Sequence, residues 1–285
     1  MDFSIVIPAK NEEQGLNKLL PKLFDLYPSA EIIVVNDGSS DGTSKLSTGF
    51  GAKVIDHPYS KGNGASIKAG TREASGEYIV FMDADGQHDP NDVKRLLDKV
   101  GEGYDMVVGA RTGFKSQANL ARFGANRFYN YFATLMTGHK VEDLTSGMRV
   151  VKRRLFKEFL HILPNGFSYP TTITMAFFRA GYSVAYMPIE VEKRIGKSHI
   201  NLIRDGVRFL LIIFKIATLY SPLKLFFPLS LGFMGMGVSY YTYTFLTSGR
   251  FTNMSALLIS VSVIIFLMGL ISEQITMLIY SKDKY

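Results

Sequence analysis

The stretch Tyr78 to Pro90, YIVFMDADGQHDP, holds an apolar run, Tyr78 to Met82, that stops abruptly at two carboxylates one residue apart, Asp83 and Asp85. β-Branched and aromatic residues bounded by polar ones read as a buried strand. Its end presents both carboxylates at the mouth of a sheet, where open α/β folds bind ligands. Asp85-Gly86 turns the chain. Asp89-Pro90 reads as a helix N-cap followed by proline at the first helical position, opening a helix through Val100. Hard oxygen ligands at a strand end suit Mg2+ or Mn2+, which take a couple of carboxylates and complete their shell with substrate phosphates. An isolated Asp-x-Asp is equally an acidic turn that closes a strand, so the reading depends on the rest of the chain.

Working outward, Phe3 to Ile7 is an apolar strand ending in Pro8-Ala9-Lys10-Asn11-Glu12-Glu13. A helix follows with Leu16, Leu19, Leu20, Leu23 and Phe24 on one face. Ile32 to Val35 is a further strand, ending in Asn36-Asp37-Gly38-Ser39-Ser40-Asp41-Gly42-Thr43. An Asp at a strand end before a Gly/Ser turn suits hydrogen bonding to a base or ribose. Lys53–Ile55 and Met106–Val108 add short strands, with helices between. This alternation predicts an α/β domain over residues 1–200 with a largely parallel sheet and right-handed crossovers.

IPAKNEE, VVNDGSSDGT and DADGQHDP, in this order and spacing, closely resemble the nucleotide-sugar half of the family 2 inverting glycosyltransferases. That family has a GT-A fold, Rossmann-like with a mostly parallel sheet. The resemblance continues through GARTGF (Gly109 to Phe114), DLTSGMRVVKR (Asp143 to Arg153) and NGFSYPTT (Asn165 to Thr172). That set is similar to the polyprenyl-phosphate branch, the dolichol-phosphate mannose synthases and the bacterial polyprenyl-phosphate glucosyltransferases.

The resemblance implies a role for each matching residue. Pro8, Ala9 and Glu12 would border the base and ribose of a nucleoside-diphosphate sugar, Asp37 would contact the base, and Asp83 and Ala84 would lie by the ribose and phosphates. Asp85 is the first choice of metal ligand, with Asp83 and Gln87 assisting. The acceptor side needs fixed positive charge, and arginine's planar fork suits phosphate. Arg111 and Arg149 lie in family-like motifs, and Arg122 and Arg127 sit on the helix between them. Asp143 matches an acidic position near the acceptor and reads either as a general base or as a group that orients Arg149 or the acceptor. Asp85, Asp143 and Arg149 are thus the expected catalytic residues. The family commonly closes its soluble domain with Arg-x-x-Gly-x-Ser-Lys over the diphosphate. Here Lys193-Arg194-Ile195-Gly196-Lys197-Ser198-His199 keeps the Gly and Ser, but Lys193 stands where Arg is expected and His199 where Lys is expected, so Arg194 and Lys197 become candidates to supply the displaced charge to the diphosphate.

The C-terminal third changes character. Leu225 to Leu246 is almost free of charge, and Ala256 to Tyr280 carries only Glu273, so both read as membrane spans in a hairpin joined by Thr247 to Ser255. Gly235 and Ser239, one turn apart, could let the two helices approach closely. Arg204, Arg208, Lys215 and Lys224 precede the spans and Lys282 and Lys284 follow them, with only Arg250 between. That asymmetry places the catalytic domain and both termini on the cytoplasmic side. Residues 201–224 alternate Leu202, Ile203, Val207, Leu210, Leu211 and Phe214 with basic residues, the pattern of a helix lying in the headgroup layer, broken at Ser221-Pro222.

Composition narrows the alternatives. Without cysteine there is no disulfide framework or thiolate metal site. The opening MDFSIVIPAKNEE lacks a basic n-region and is not read as a secretory signal. The formal net charge of +7 fits a membrane surface and phosphate ligands, and nothing resembles a nucleic-acid module. The chain has no tryptophan, hence no Gln-x-x-Arg-Trp of the processive polysaccharide synthases, and two spans are too few for a polymer channel. The loop PAKNEE differs from the Gly-rich, Arg-containing loop of nucleotidyltransferases. The expected enzyme moves a hexose from UDP-glucose or GDP-mannose onto dolichyl or undecaprenyl phosphate, with a metal ion and inversion; a homo-oligomer through the hairpin is left open.

Overall fold

The computed structural model describes residues 1–111, 120–166, 168–191, 214, 218 and 220–281. Strands β1 (Phe3–Ala9), β2 (Glu31–Asn36), β3 (Lys53–Asp56), β4 (Tyr78–Phe81), β5 (Met106–Ala110), β6 (Arg149–Lys152) and β7 (Val184–Pro188) form, among the described residues, one 7-stranded sheet in the order β3-β2-β1-β4-β6-β5-β7. All pairings are parallel except those of β6, which runs antiparallel to both β4 and β5. The expected strands are present, with β1 extended to Ala9 and β5 to Ala110.

β6 and β7 went unread in the sequence. Arg-Val-Val-Lys has too few apolar residues to show a period; it becomes a strand because β4 and β5 flank it and satisfy its backbone. Helix α1 (Glu13–Leu26) lays Leu16, Leu19, Leu20 and Leu23 against Ile5, Ile7, Val34 and Val80, a core shared with Val93 and Leu96 of α4 (Asn91–Gly101). The Asp89 carboxylate accepts the Asn91 N–H at 2.9 Å, so the expected cap forms at the start of α4. On the other face α3 (Asn63–Glu73) brings Gly70 against Val6 and Val35. Helices α2 (Thr43–Gly49), α5 (Leu120–Thr137), α6 (Arg153–Glu158) and α7 (Tyr169–Arg179) complete the α/β unit, Met1–Asn201.

This topology decides where a site can form. β1 lies between β2 and β4, so successive crossovers leave it in opposite directions and open a crevice at the carboxyl ends of β1 and β4. Because β6 is antiparallel, its first residue, Arg149, pairs with Phe81 at the end of β4 and with Val108 near the end of β5. The turn that feeds β6 therefore enters at the same sheet end as Asp83 and Arg111.

The second unit, Leu202–Tyr285, contains α8 (Pro222–Ser248) and α9 (Asn253–Ser281). Both are long and apolar enough to cross a membrane. Leu231, Phe245, Leu257, Ile264 and Leu278 stand exposed, a surface that hydrocarbon solvates and water does not. The close approach between the helices is not at the expected pair. Gly235 faces open space and Ser239 is exposed, whereas Gly237 lies against Ile259 and Gly269 against Phe226. Ser239 one turn on from Gly235 drew the reading to that pair, whereas Gly237 has Phe233 and Tyr241 at the same spacing; the helix rotation set by packing chose Gly237. The Leu223 N–H donates to the Glu273 carboxylate at 3.3 Å, giving the one acidic residue of the second span a helix N-terminus as its partner. Ser262 Oγ donates to the Ser230 carbonyl at 2.8 Å. Most of the expected interfacial helix at 201–224 lies outside the described residues.

Candidate active site

β4 ends inside the core at Phe81 and Met82, and the next residue, Asp83, keeps 39% of its side-chain surface accessible. His88 Nε2 stands 3.5 Å from Asp83 Oδ2, and a backbone bridge ties the buried His88 to Val191. Burial would raise the pKa of Asp83, but His88 and the charges of Arg111 and Arg149 hold it below the usual carboxylate value. Gly147 stands directly over this carboxylate. A Cβ on Gly147 would lie 2.6 and 2.8 Å from the two Asp83 oxygens, so only glycine lets the turn come this close.

Arg149 supports that turn from below. Its side chain has no accessible surface. Nη1 donates to the Pro170 carbonyl and to Thr174 Oγ1, each at 3.1 Å, and Nη2 donates to the Ser146 carbonyl. The guanidinium lies 5.7 Å from the centre of the Tyr169 ring, and the Tyr169 hydroxyl donates to the Gly147 carbonyl at 3.3 Å. Burial lowers the pKa of Arg149 from its usual value. The sequence reading placed Arg149 on the acceptor phosphate. The structure instead buries it, because β6 is an interior strand whose first side chain enters the layer between sheet and α7.

Arg111 and Asp143 form the other wall. Arg111 Nε meets Asp143 Oδ2 at 2.7 Å and Nη2 meets Oδ1 at 2.9 Å, a bidentate pair. The Arg111 backbone N–H adds a third bond at 3.1 Å, and Nη2 also donates to Thr145 Oγ1 at 2.7 Å. Thr145 N–H donates to Asp143 Oδ1. Burial would raise the pKa of Asp143, but Arg111 and the Arg111 and Thr145 amides hold it below the usual value. The group that Asp143 orients is therefore Arg111, a partner the sequence reading did not name. Arg111 keeps 26% of its side-chain surface accessible, against 6% for Asp143.

Asp85 and Gln87 sit half-buried on the turn at Gly86, whose φ of 71° suits glycine, and Asp85 Oδ1 accepts the Gln87 N–H at 3.2 Å. Among the described residues no three His, Cys, Asp or Glu side chains converge as a metal cage. Asp83 and Asp85 lie one residue apart just after β4, oxygen donors of the kind that hard cations take.

At the carboxyl ends of β1 and β4, Ala9 and Ala84 are buried and Pro8 and Glu12 half-buried. The Ala9 carbonyl accepts the Asp37 N–H at 2.8 Å, Glu12 N–H donates to Thr43 Oγ1 at 3.1 Å, and Gly15 packs on the Ala84 carbonyl. Asp37 is enclosed. Oδ1 meets His57 Nδ1 at 2.9 Å and accepts Lys61 N–H at 2.8 Å, while Oδ2 accepts Ser60 Oγ and Gly62 N–H at 2.7 and 2.9 Å. Burial would raise its pKa, yet these bonds hold it at about 2, below the usual 3.8. The stabilisation is full above pH 3.8 and is lost as pH falls toward 2. Asp37→Asn is therefore expected to cost about 2 kcal/mol at neutral pH and to flatten the acid limb of the stability curve in that window. Thermal unfolding in detergent across pH checks it; an unchanged acid limb would refute the assignment.

Arg127 is exposed on α5. The side chain of Arg122, together with Arg194 and Lys197, lies outside the described residues. Sequence reasoning missed His88, Gly147 and Tyr169 as site residues. Each lies in a motif that had been noticed, but only the approach of the β6 turn to the end of β4 gives them a task.

The family model for glycosyl transferase family 2 matches residues 4–160, and one described as the GtrB C-terminal hairpin matches residues 221–278. The chain is similar to a dolichyl-phosphate hexose transferase of Haloferax volcanii, 28% identical over 72% of this chain and 89% of that one. It is also similar to a polyprenol monophosphomannose synthase of Mycolicibacterium smegmatis, 29% identical over 69% of this chain and 80% of that one. A glucosyl-3-phosphoglycerate synthase of Mycobacterium tuberculosis, solved with Mn2+, uridine diphosphate and glucosyl-3-phosphoglycerate, superposes with a TM-score of 0.61. It covers 76% of this chain and 78% of its own at 22% identity, a likeness of fold. The first match spans β1 through α6, the part of the fold that builds the crevice, and the chain therefore belongs to glycosyl transferase family 2.

Proposed function

We propose that this protein transfers a hexosyl group from a nucleoside-diphosphate sugar, UDP-glucose or GDP-mannose, to the phosphate of a membrane polyprenyl phosphate, dolichyl or undecaprenyl. The transfer inverts the anomeric centre and takes place at the cytoplasmic face. The observation that carries this reading is that the partly accessible Asp83 carboxylate lies within reach of the charge of the partly accessible Arg111 at one sheet end. The apolar hairpin and the names of the relatives support a lipid acceptor.

In this reading Pro8, Ala9, Glu12, Asp37 and Ala84 form the nucleotide end of the crevice, and Asp85 with Asp83 and Gln87 hold Mg2+ or Mn2+. When bound, such an ion stabilises charge on the leaving diphosphate. Arg111 receives the acceptor phosphate, joined by Arg122 and Arg127 of α5, and Arg194 and Lys197 serve the diphosphate. Asp143 aims Arg111 rather than removing a proton: both its oxygens are engaged and its low pKa makes it a poor base. The acceptor needs no base, because a phosphate monoester near neutral pH carries between about one and two negative charges and is already a nucleophile. Arg149 acts from beneath, holding the Ser146–Gly147 turn. The basic residues flanking the hairpin support a cytoplasmic position for both termini.

A transfer assay on detergent-purified protein tests this, with radiolabelled UDP- and GDP-sugars, polyprenyl phosphate and Mg2+ or Mn2+. Organic-extractable label from one donor, lost without metal, is the expected result and names the sugar. Metal-dependent donor hydrolysis with no lipid product from any donor would keep the nucleotide site and reject the lipid acceptor.

A further inference from the structure

A cavity of about 510 Å3, with His57, Tyr59, Lys61, Lys68, Arg72 and Asn165 in its wall, lies between α3 and the loop after β3. Asp83, Asp85 and Arg111 take no part in it. Its wall carries three cations and no carboxylate. Among the described residues, the acidic groups nearby are engaged elsewhere: Glu73 with Lys53, Asp56 with Asn36 and Ser44, and Asp37 with its own loop. No ion pair among the described residues includes Lys61, Lys68 or Arg72.

Lys68 and Arg72 stand one helical turn apart on α3, a like-charge spacing that destabilises an isolated helix. The Lys68 side chain is half-buried, and its ammonium donates to the Leu163 carbonyl and Asn165 Oδ1, which anchors it on this wall beside Arg72. Burial and the Arg72 charge both lower its pKa. Lys61 lines the same hollow, with its Nζ 5.8 Å from the centre of the Tyr59 ring. Repelling cations held around one concavity, with no acid among them, are the complement of a compact multivalent anion. The volume falls within the range of small-ligand pockets, and arginine's planar fork matches phosphate oxygens.

We infer that this groove binds a phosphate-bearing anion at a site separate from the carboxylate crevice. Part of its wall is the loop that Asp37 fixes through Ser60 and the Lys61 amide, so an occupant would brace that loop.

Calorimetric titration of the full chain in detergent with inorganic phosphate tests the inference. Phosphate is expected to bind the wild type and Asp85→Asn alike, and the Lys68→Gln/Arg72→Gln double variant on the order of tenfold more weakly. A second double variant, Lys61→Gln/Arg72→Gln, leaves the Lys68 bonds to Leu163 and Asn165 intact and is expected to show the same loss. A parallel titration with dihexanoyl phosphatidic acid separates the sources. Tighter binding than inorganic phosphate, with the same dependence on Lys68 and Arg72, assigns the groove to a lipid headgroup; equal or weaker binding assigns it to a soluble phosphate. Absence of phosphate binding to the wild type overturns the inference. So does binding that survives both double variants, or binding that disappears only with Arg111→Ala.

Discussion

Asp85→Asn is expected to lower kcat for sugar transfer by about a thousandfold while weakening donor binding by less than about tenfold. The asymmetry follows from where the charge appears. In the proposed reaction the ground-state diphosphate would be bound by many groups along the crevice, and one carboxylate would contribute little to that sum. In the transition state charge would build on the leaving diphosphate, and an ion held with the help of Asp85 would stabilise it. Only interactions stronger in the transition state than in the ground state raise kcat, so removing this one appears in turnover rather than in affinity. Single-turnover transfer alongside equilibrium donor binding separates the two. A variant that turns over within about tenfold of the wild type would remove Asp85 from its role.

Gly147→Ala is expected to lower kcat by about a hundredfold. The backbone at Gly147 is not in the left-handed region, so alanine can adopt it, and the whole effect must come from the added methyl. That methyl would lie within 3.0 Å of both Asp83 oxygens and of the Asp83 carboxyl carbon. The turn cannot yield freely, because Arg149 holds the Ser146 carbonyl and Tyr169 holds the Gly147 carbonyl. Asp83 must move instead, and with it any ion shared with Asp85. The double variant with Asp83→Asn identifies the cause: if the methyl acts through Asp83, the two losses are strongly non-additive. Wild-type turnover in Gly147→Ala would show that the turn and the carboxylate tolerate separation.

The same contacts show how little of the wall made by Arg111 and Asp143 could be read in one dimension. DLTSGMR was visible as a motif, but Asp143 could have served Arg149, the acceptor or a proton. The pairing with Arg111 depends on β5 and β6 lying side by side. The long stretch between Arg111 and Asp143 carries no signal of that adjacency. Likewise Arg149 looked like a surface phosphate ligand because nothing in Arg-Val-Val-Lys announces a strand flanked on both sides.

The chain by itself determined the parallel strands and the residues at their ends. Strand interiors there are continuous apolar runs, and each stops at a polar loop, so Pro8-Ala9, Asp37 and Asp83-x-Asp85 were placed at one edge of a sheet by local pattern alone. Length and freedom from charge equally marked α8 and α9 as helices able to cross a membrane. Tertiary structure decided the rest. It set the antiparallel entry of β6, the burial of Arg149, the Arg111–Asp143 pair, the approach of Gly147 to Asp83 and the choice of Gly237 over Gly235 in the hairpin. Each of these depends on which strand or helix becomes whose neighbour. Neighbours distant in the chain are selected by the burial and hydrogen bonding of the whole sheet or hairpin, which no local stretch of sequence encodes.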